Sequence, residues 1–295
     1  MSTVKSLSVG NGDMFYINHN SKNFTLIDCC LSDENRTRIL AEIKSLAAAK
    51  NIVRFISTHP DDDHIAGLVA LDDMLTICNF YCVRNEATKK DETDDFTRYC
   101  QLRDSEKKAF YLSHGCKRKW MNDDDEPSTN GRSGINVHWP DPKNESFLSA
   151  LAAAKTGESP NNISPIIVYS VQDGVSIMWM GDLEAAFMDE IAATLKLPRA
   201  HILFAPHHGR DSGKVPQMLL DQIDPKIIII GEAPSEDLNY YTGYDKITQN
   251  SAGDITLECE GKKVHIFVSS EEYQVDFLDD EGKTGTDTYI GTLNL

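Results

Sequence analysis

The 295-residue chain has no apolar run long enough to cross a membrane. Met1 to Gly10 is too polar for a secretory signal peptide. Both absences lead to the expectation of a cytoplasmic protein without a membrane partner. The chain also has no CxxC pair. Its seven cysteines, an odd number, include Cys29, Cys78, Cys82 and Cys100 in or beside apolar segments. That pattern reads as buried free thiols in a reducing compartment and not as a disulfide frame. The neighbours Cys29 and Cys30 point to opposite faces if they lie on a strand, which favours packing over shared metal binding. Positive charge is scarce. Against 46 Asp and Glu stand 29 Lys and Arg, for a net charge of −17. A protein so acidic is a poor general binder of duplex DNA, which is held by neutralising several phosphates. Lys117-Arg118-Lys119 is the only dense basic cluster, and Asp123-Asp124-Asp125-Glu126 follows it almost at once. There is no short internal repeat, no low-complexity tract, and no serine in the elbow sequence that a Ser-His-Asp triad on an α/β fold uses.

What the chain does have is the stretch Thr58-His59-Pro60-Asp61-Asp62-Asp63-His64, directly after the apolar run Ile52-Val53-Arg54-Phe55-Ile56-Ser57. Loops at the carboxyl ends of strands are where open α/β sheets carry their chemistry. His59, Asp61 and Asp63 alternate, so in extended backbone they share a side, and His64 follows at once. Such an arrangement can serve two metals. Taken alone, the heptad also reads as a solvated acidic loop with His at each end. Two further strand ends weigh against that reading. Gly181-Asp182 follows Val175 to Met180, and Pro206-His207-His208-Gly209 follows Ala200 to Ala205.

These motifs resemble those of the metallo-β-lactamase-fold hydrolases, whose usual first motif is HxHxDH, followed by a bridging Asp and a late His. Within that family they are most similar to the hydrolase domain of the competence-type DNA-uptake channel protein and its stand-alone relatives. The residues that carry the resemblance are Ser8-Val9-Gly10-Asn11-Gly12-Asp13, Leu26-Ile27-Asp28-Cys29-Cys30, His59 to His64, Gly181-Asp182-Leu183, Pro206-His207-His208-Gly209-Arg210 and Ser251 to Leu257. The resemblance covers most of residues 4–258, with a gap in the middle. It implies two divalent ions, Zn or Mn. One would be held by His59 and Asp61, the other by Asp63, His64 and His208, with Asp182 bridging. His208 is favoured over His207 because it stands directly before Gly209. His207 would then orient other groups or contact substrate. Asp28 is either the acceptor that orients a ligating imidazole or a strand-end turn residue. Asp61 stands where the family usually has His, and Asn162, in Asn162-Ile163-Ser164, is a weak oxygen ligand by the same resemblance. His114 and His138 sit in no motif.

The order of elements fits two mixed sheets covered by helices, a four-layer αββα sandwich. Strands are expected at Val4 to Val9, Met14 to Asn18, Phe24 to Cys29, Ile52 to Ser57, Thr76 to Val83, Ser164 to Ser170, Val175 to Met180, Ala200 to Ala205, Lys226 to Gly231, Ile255 to Glu258 and Val264 to Val268. Helices are expected from about Asp33 to Lys50 with Ser32 as N-cap, from His64 to Leu75, near Thr93 to Ser113, from Glu184 to Leu195 and from Val215 to Ile223. Residues 1–270 form the hydrolase domain in this reading. Residues 85–135 are an insertion, either a lid over the active-site mouth or an ordinary surface excursion. Residues 271–295 are a C-terminal extension with an extra edge strand at Tyr273 to Leu278.

The function expected from the resemblance is hydrolysis by a metal-bound hydroxide, with Asp63 and His207 as the catalytic side chains. The first reading is a phosphodiesterase or nuclease acting on nucleotides or nucleic-acid ends. A second is an ester, thioester or lactone hydrolase, and a third a non-catalytic regulatory protein with a vestigial metal site. The partner is a small-molecule or nucleotide substrate.

Overall fold

The computed structural model describes residues 1–123, 130–234 and 240–295. Part of the loop expected at Asp123 to Gly134, together with most of its acidic run, lies outside the described residues.

The chain opens with the antiparallel strands β1 (Ser2–Ser6), β2 (Phe15–Asn18) and β3 (Asn23–Ile27), then the two-residue β4 (Cys29–Cys30). Helix α1 (Arg36–Ala47) returns the chain to β5 (Ile52–Ile56), parallel to β3. The short α2 (Asp62–Ile65), then α3 (Leu68–Leu75), lead to β6 (Phe80–Cys82), and α4 (Asp94–Arg103) leads to β7 (Ala109–Tyr111). The second half runs β8 (Ile135–Trp139), α5 (Glu145–Lys155), β9 (Ile166–Ser170), β10 (Ser176–Trp179), α6 (Ala185–Ala192), β11 (Ile202–Phe204), α7 (Gln217–Ile223), β12 (Ile227–Ile230), β13 (Asp245–Thr248) and α8 (Gln249–Ala252). It closes with β14 (Ile255–Glu260), β15 (Lys263–Val268) and β16 (Thr288–Asn294), which return to the first sheet.

Two mixed sheets result. The first has the order β16-β15-β14-β1-β2-β3-β5-β6-β7, and the second β13-β12-β11-β10-β9-β8. One face of the first sheet packs Phe24, Leu26, Phe55 and Phe80 against Ile39 and Ile43 of α1, Leu68 and Leu71 of α3, and Phe96 and Tyr99 of α4. Its other face carries Phe15, Ile17, Ile27 and Ile56, which join the inner residues of the second sheet in one core. The outer face of the second sheet is covered by Phe147 of α5, Phe187 and Ile191 of α6, and Leu219 and Ile223 of α7. The architecture is thus a four-layer αββα sandwich. Ile227 to Ile230 read as a continuous apolar run because β12 is buried on both faces, and all four are at most 1% exposed. Each contributes on the order of 2 kcal/mol by leaving water.

The parallel strands β3, β5 and β6 in one sheet and β10, β11 and β12 in the other end at a common rim. Beneath that rim Phe15 of β2 contacts Phe204 of β11 at 4.9 Å between ring centroids, and Phe204 stacks on Trp179 of β10 at 5.1 Å. This aromatic cluster joins the sheets just below the loops that begin at Met180 and Ala205.

Several elements depart from the sequence reading. The helix expected to run through Ser113 stops at Arg103, and Ala109–Tyr111 forms an edge strand instead. The helix expected from His64 to Leu75 breaks at Gly67, whose φ of 83° lies in the left-handed region. The N-cap of α1 is Asn35, not Ser32, although the two residues bond reciprocally. Strand β8, helix α5 and strand β13 carry signals too short or too mixed to stand out in the sequence. No strand forms at Tyr273 to Leu278. The edge strand of the C-terminal segment is β16, ten or more residues later, and it pairs with β15 around a register shift. No helix among the described residues is long and apolar enough to cross a membrane.

Candidate metal centre

Five loops meet at the rim. The segment after β5 bends at Pro60 and enters α2, so that Asp62 and Asp63 sit in its first turn and His64 in its last. β4 pins that turn through bridges from Cys29 to Ile65 and from Cys30 to Ala66. Asp28 ends β3 with a φ of 56°, and its carboxylate is fully committed. Oδ1 accepts the Thr58 N–H at 2.8 Å, while Oδ2 accepts the Thr58 hydroxyl at 2.6 Å and lies 2.9 Å from His64 Nδ1. The two readings of Asp28 thus coincide, since a strand-end turn residue orients an imidazole. With Nδ1 held by Asp28, His64 presents Nε2 to the centre.

Asp182 enters from the second sheet. Gly181 has a φ of 52°, and a Cβ built there would meet Ser164 Oγ at 2.6 Å and Thr58 Cβ at 2.9 Å. Only glycine lets β10 bring Asp182 this close to the Thr58 loop. The late histidines follow β11, where His207 N–H donates to the Gly181 carbonyl at 3.0 Å and ties the two strand ends together. His207 and His208 have φ values of 53° and 56°, a left-handed conformation that costs each non-glycine residue about 1 kcal/mol or more. Strain of this size persists only where the surroundings enforce it.

The fifth contributor is Asp13. Its N–H donates to the Asp63 carbonyl at 3.1 Å, and Gly12 permits the approach, because a Cβ there would lie 2.5 Å from that carbonyl and from Cys30 Sγ. The Asp13 carboxylate then reaches His208, with 3.1 Å between Oδ1 and Nδ1. Donor atoms of Asp13, His64, Asp182 and His208 all lie within 4.8 Å of one another. Of these, Asp13 belongs to the motif Ser8 to Asp13 but has no site role in the sequence reading. The Gly-Asp pair at residues 12–13 was the signal available for it.

The structure brings the other expected residues to the same centre. Around Asp182, His64 Nε2 lies 3.1 Å away, His208 Nε2 3.5 Å, His207 Nε2 3.7 Å and His59 Nε2 3.9 Å. Asp63 lies 3.4 Å from His208 Nε2 and 3.9 Å from His64 Nε2. Asp61 is 3.9 Å from His59 Nε2 through one oxygen and 3.6 Å from the Lys89 ammonium through the other. His59 Nδ1 is occupied by the Thr58 and Ser164 hydroxyls, and His207 Nδ1 by the Ser212 hydroxyl at 2.8 Å. Asn162 does not offer its oxygen to the centre, because that oxygen accepts the Glu184 N–H at 3.0 Å while the amide donates to Glu184 Oε2. His114 and His138 pair with each other through His114 Nδ1 and the His138 carbonyl, and line a separate cavity of about 310 Å³.

The electrostatics follow from burial and crowding. Burial works against a charged His64, but Asp182 and Asp28 on its two sides outweigh it and hold the imidazolium well above its usual range. Burial likewise opposes charge on His208, while Asp13 and then Asp63 and Asp182 hold it up at about 10. The same contacts overcome the burial of Asp63 and bring it down to about 2. Asp182 is held well below the carboxylate range by His64, His59 and His208 despite its burial. His59, buried and beside His64, is driven well below the usual imidazole range. Burial also lowers His207 and raises Asp61, the latter partly offset by Lys89.

The donor set suits a divalent cation. His59 Nε2, His64 Nε2, His208 Nε2 and Asp182 Oδ1 are buried with no hydrogen-bond partner. Buried polar atoms are normally satisfied, and here the orphans face one another across a few ångströms. Two imidazoles and two carboxylates form a ligand set for a first-row divalent ion. His64 Nδ1 already has the carboxylate partner that ligating imidazoles use.

No family model matches this sequence, and no curated protein matches it. Solved structures with a similar fold include the metallo-beta-lactamase fold protein YhfI from Bacillus subtilis, at 9% identity over 84% of this chain and 96% of that one, with a TM-score of 0.44. The Rm3 metallo-beta-lactamase is 12% identical over 75% of this chain and 89% of its own, with a TM-score of 0.42. The metallo-beta-lactamase SMB-1 is 12% identical over 70% and 81% of the two chains, with a TM-score of 0.41.

Proposed function

We propose that this protein is a metal-dependent hydrolase, and that its substrate is a phosphodiester, either a nucleotide or a nucleic-acid end. The observation that carries the metal reading is the convergence of Asp13, His64, Asp182 and His208, with buried donor atoms of His64, Asp182 and His208 unpartnered. A divalent ion bound there would activate water at neutral pH and stabilise oxyanion charge during displacement.

The chain's own residues supply the rest. Asp63, held ionised beside His208, is placed to orient the attacking water by accepting a hydrogen bond from it. His207 is held at Nδ1 by Ser212 and directs Nε2 toward Asp182. It is the side chain best placed to hydrogen-bond a substrate oxygen or the leaving group. Two cations flank an otherwise acidic centre, Lys89 beside Asp61 and Arg210 bonded to Asn11. Arg210, whose charge acts on His207, is the cation that supports an anionic substrate group on a chain of net charge −17. The same net charge favours recognition of ends or single strands by local contacts over grip on long duplex DNA. With two carboxylates among the four donors, manganese is expected to restore activity better than an imidazole-rich site would allow.

The test is to strip the protein with chelator, reload it with manganese or zinc, and assay chromogenic phosphodiester, phosphomonoester, lactone and β-lactam substrates. The phosphodiester should turn over fastest, and Asp182→Ala should lose both metal and turnover while remaining folded. Turnover of only the lactone or an ester would replace the phosphodiester reading. Full activity in Asp182→Ala would remove the metal reading.

A further inference from the structure

We propose that Lys89 neutralises Asp61 from outside the centre, so that the second group of donors stays too weak for an ion and the protein binds one divalent ion. The proposal rests on the metal-site reading above.

Asp13, His64, Asp182 and His208 account for one ion. Of the other donors, Asp63 lies against His208 and His207 against Asp182, while His59, Asp61 and Asp182 Oδ2 form a separate group. His59 is only 1% exposed, and its Nε2 has no hydrogen-bond partner. That nitrogen lies 3.9 Å from Asp61 Oδ2 and 3.9 Å from Asp182 Oδ2. Three donors therefore outline a second subsite. A buried, unpartnered imidazole nitrogen flanked by two carboxylates would ordinarily invite a cation.

A cation already claims one of these donors from its outer side. Asp61 turns Oδ2 toward His59 and Oδ1 toward Lys89, at 3.6 Å from the ammonium. Lys89 is not a stray surface lysine. Its side chain is 17% exposed, its nitrogen lies 5.6 Å from the centre of the Phe96 ring, and it is anchored by Asp62 at 2.8 Å. Asp61 and Asp62 thus hold the ammonium from two sides.

Two consequences follow from charge alone. The ammonium neutralises the one carboxylate that belongs to the second subsite and to no other. A divalent ion entering between His59 and Asp61 would sit within one side-chain length of it and be repelled. Conversely, an ammonium can stabilise negative charge on a substrate without being lost to a chelator.

The experiment compares wild type with Lys89→Met, which keeps the apolar stem and removes the charge, and Lys89→Arg, which keeps the charge. Each protein is stripped with chelator and titrated with manganese alone. Bound metal per chain is measured by calorimetry and elemental analysis, and the spin state by electron paramagnetic resonance. Wild type and Lys89→Arg are expected to bind one ion with the six-line spectrum of isolated manganese. Lys89→Met is expected to bind a second ion and show the exchange-coupled spectrum of a close pair. A wild type that loads two coupled ions overturns the proposal, as does a folded Lys89→Met that stays at one. A wild type that binds none overturns the metal reading itself, which separates the two failures.

Discussion

Asp28→Asn isolates the orienting role of a carboxylate that touches no metal. Asp28 is buried and makes three contacts, two with Thr58 and one with His64. The Thr58 N–H requires an oxygen at Oδ1, so the asparagine must place its NH2 where Oδ2 was. That NH2 faces the Thr58 hydroxyl, which can turn to accept, and His64 Nδ1, which then must accept as well. The imidazole proton moves to Nε2, the nitrogen 3.1 Å from Asp182 that faces the centre. A ring protonated there cannot ligate until its tautomer is reversed against a fixed amide. Loss of such an orienting partner costs roughly 10–100-fold in metal affinity, or about 1.4–2.7 kcal/mol. Metal at a hundredfold excess over the wild-type Kd stabilises wild type by about 2.7 kcal/mol. At the same concentration a variant weakened about thirtyfold keeps only about 0.8 kcal/mol. The assay is calorimetric titration of manganese into stripped protein, paired with urea unfolding with and without metal. Because His64 can give up its charge when Asp28 loses its own, the metal-free variant should still fold. A folded Asp28→Asn with wild-type affinity would refute the tautomer argument and with it the assignment of His64 Nε2 as a ligand.

Metal uptake should release protons, since His208 is held up at about 10 and His64 is also raised, so both rings are protonated at neutral pH before metal enters. Apparent affinity should therefore climb as pH rises from neutrality toward about 10, and the observed heat should vary with the ionisation enthalpy of the buffer; a heat independent of buffer would count against the protonated rings. For the metal-free fold the sign is opposite: the His208 contribution is complete below the unfolded value near 6.5 and is lost as pH rises through about 10, to be followed by urea midpoints across that range. Gly181→Ala should lower the unfolding free energy by roughly 1–3 kcal/mol and weaken metal binding, because the added methyl must displace Ser164 or Thr58 from a well-packed joint; an unchanged melt would show that the β10 rim has room it does not display.

The sequence by itself determined the layers and brought to notice most of the side chains that converge at the rim. Ile227 to Ile230 can only be a strand buried on both faces, and the Ile39 and Ile43 spacing can only serve an amphipathic helix. The placement of His59 to His64, Asp182 and His207 to His208 directly after apolar strands was legible because strand ends on parallel sheets share one rim. Elements with short or mixed signals were not legible: β7 and β13 are edge strands of a few residues, and β16 forms through pairing with β15 and not through a pattern of its own.

The tertiary structure decided how the donors divide. The family resemblance grouped Asp61 with His59, and Asp63 with His64. In three dimensions Asp13 arrives from a turn some fifty residues earlier, carried by a backbone bond to Asp63 that Gly12 alone permits, and takes the place beside His208. Asp61 meets Lys89 instead, across a distance no motif encodes. Asn162 is drawn off by Glu184. Alternation along a strand predicts which side chains share a face, but a ligand set is chosen by atoms within about 2 Å of an ion, and only the meeting of five loops from two sheets fixes which atoms those are.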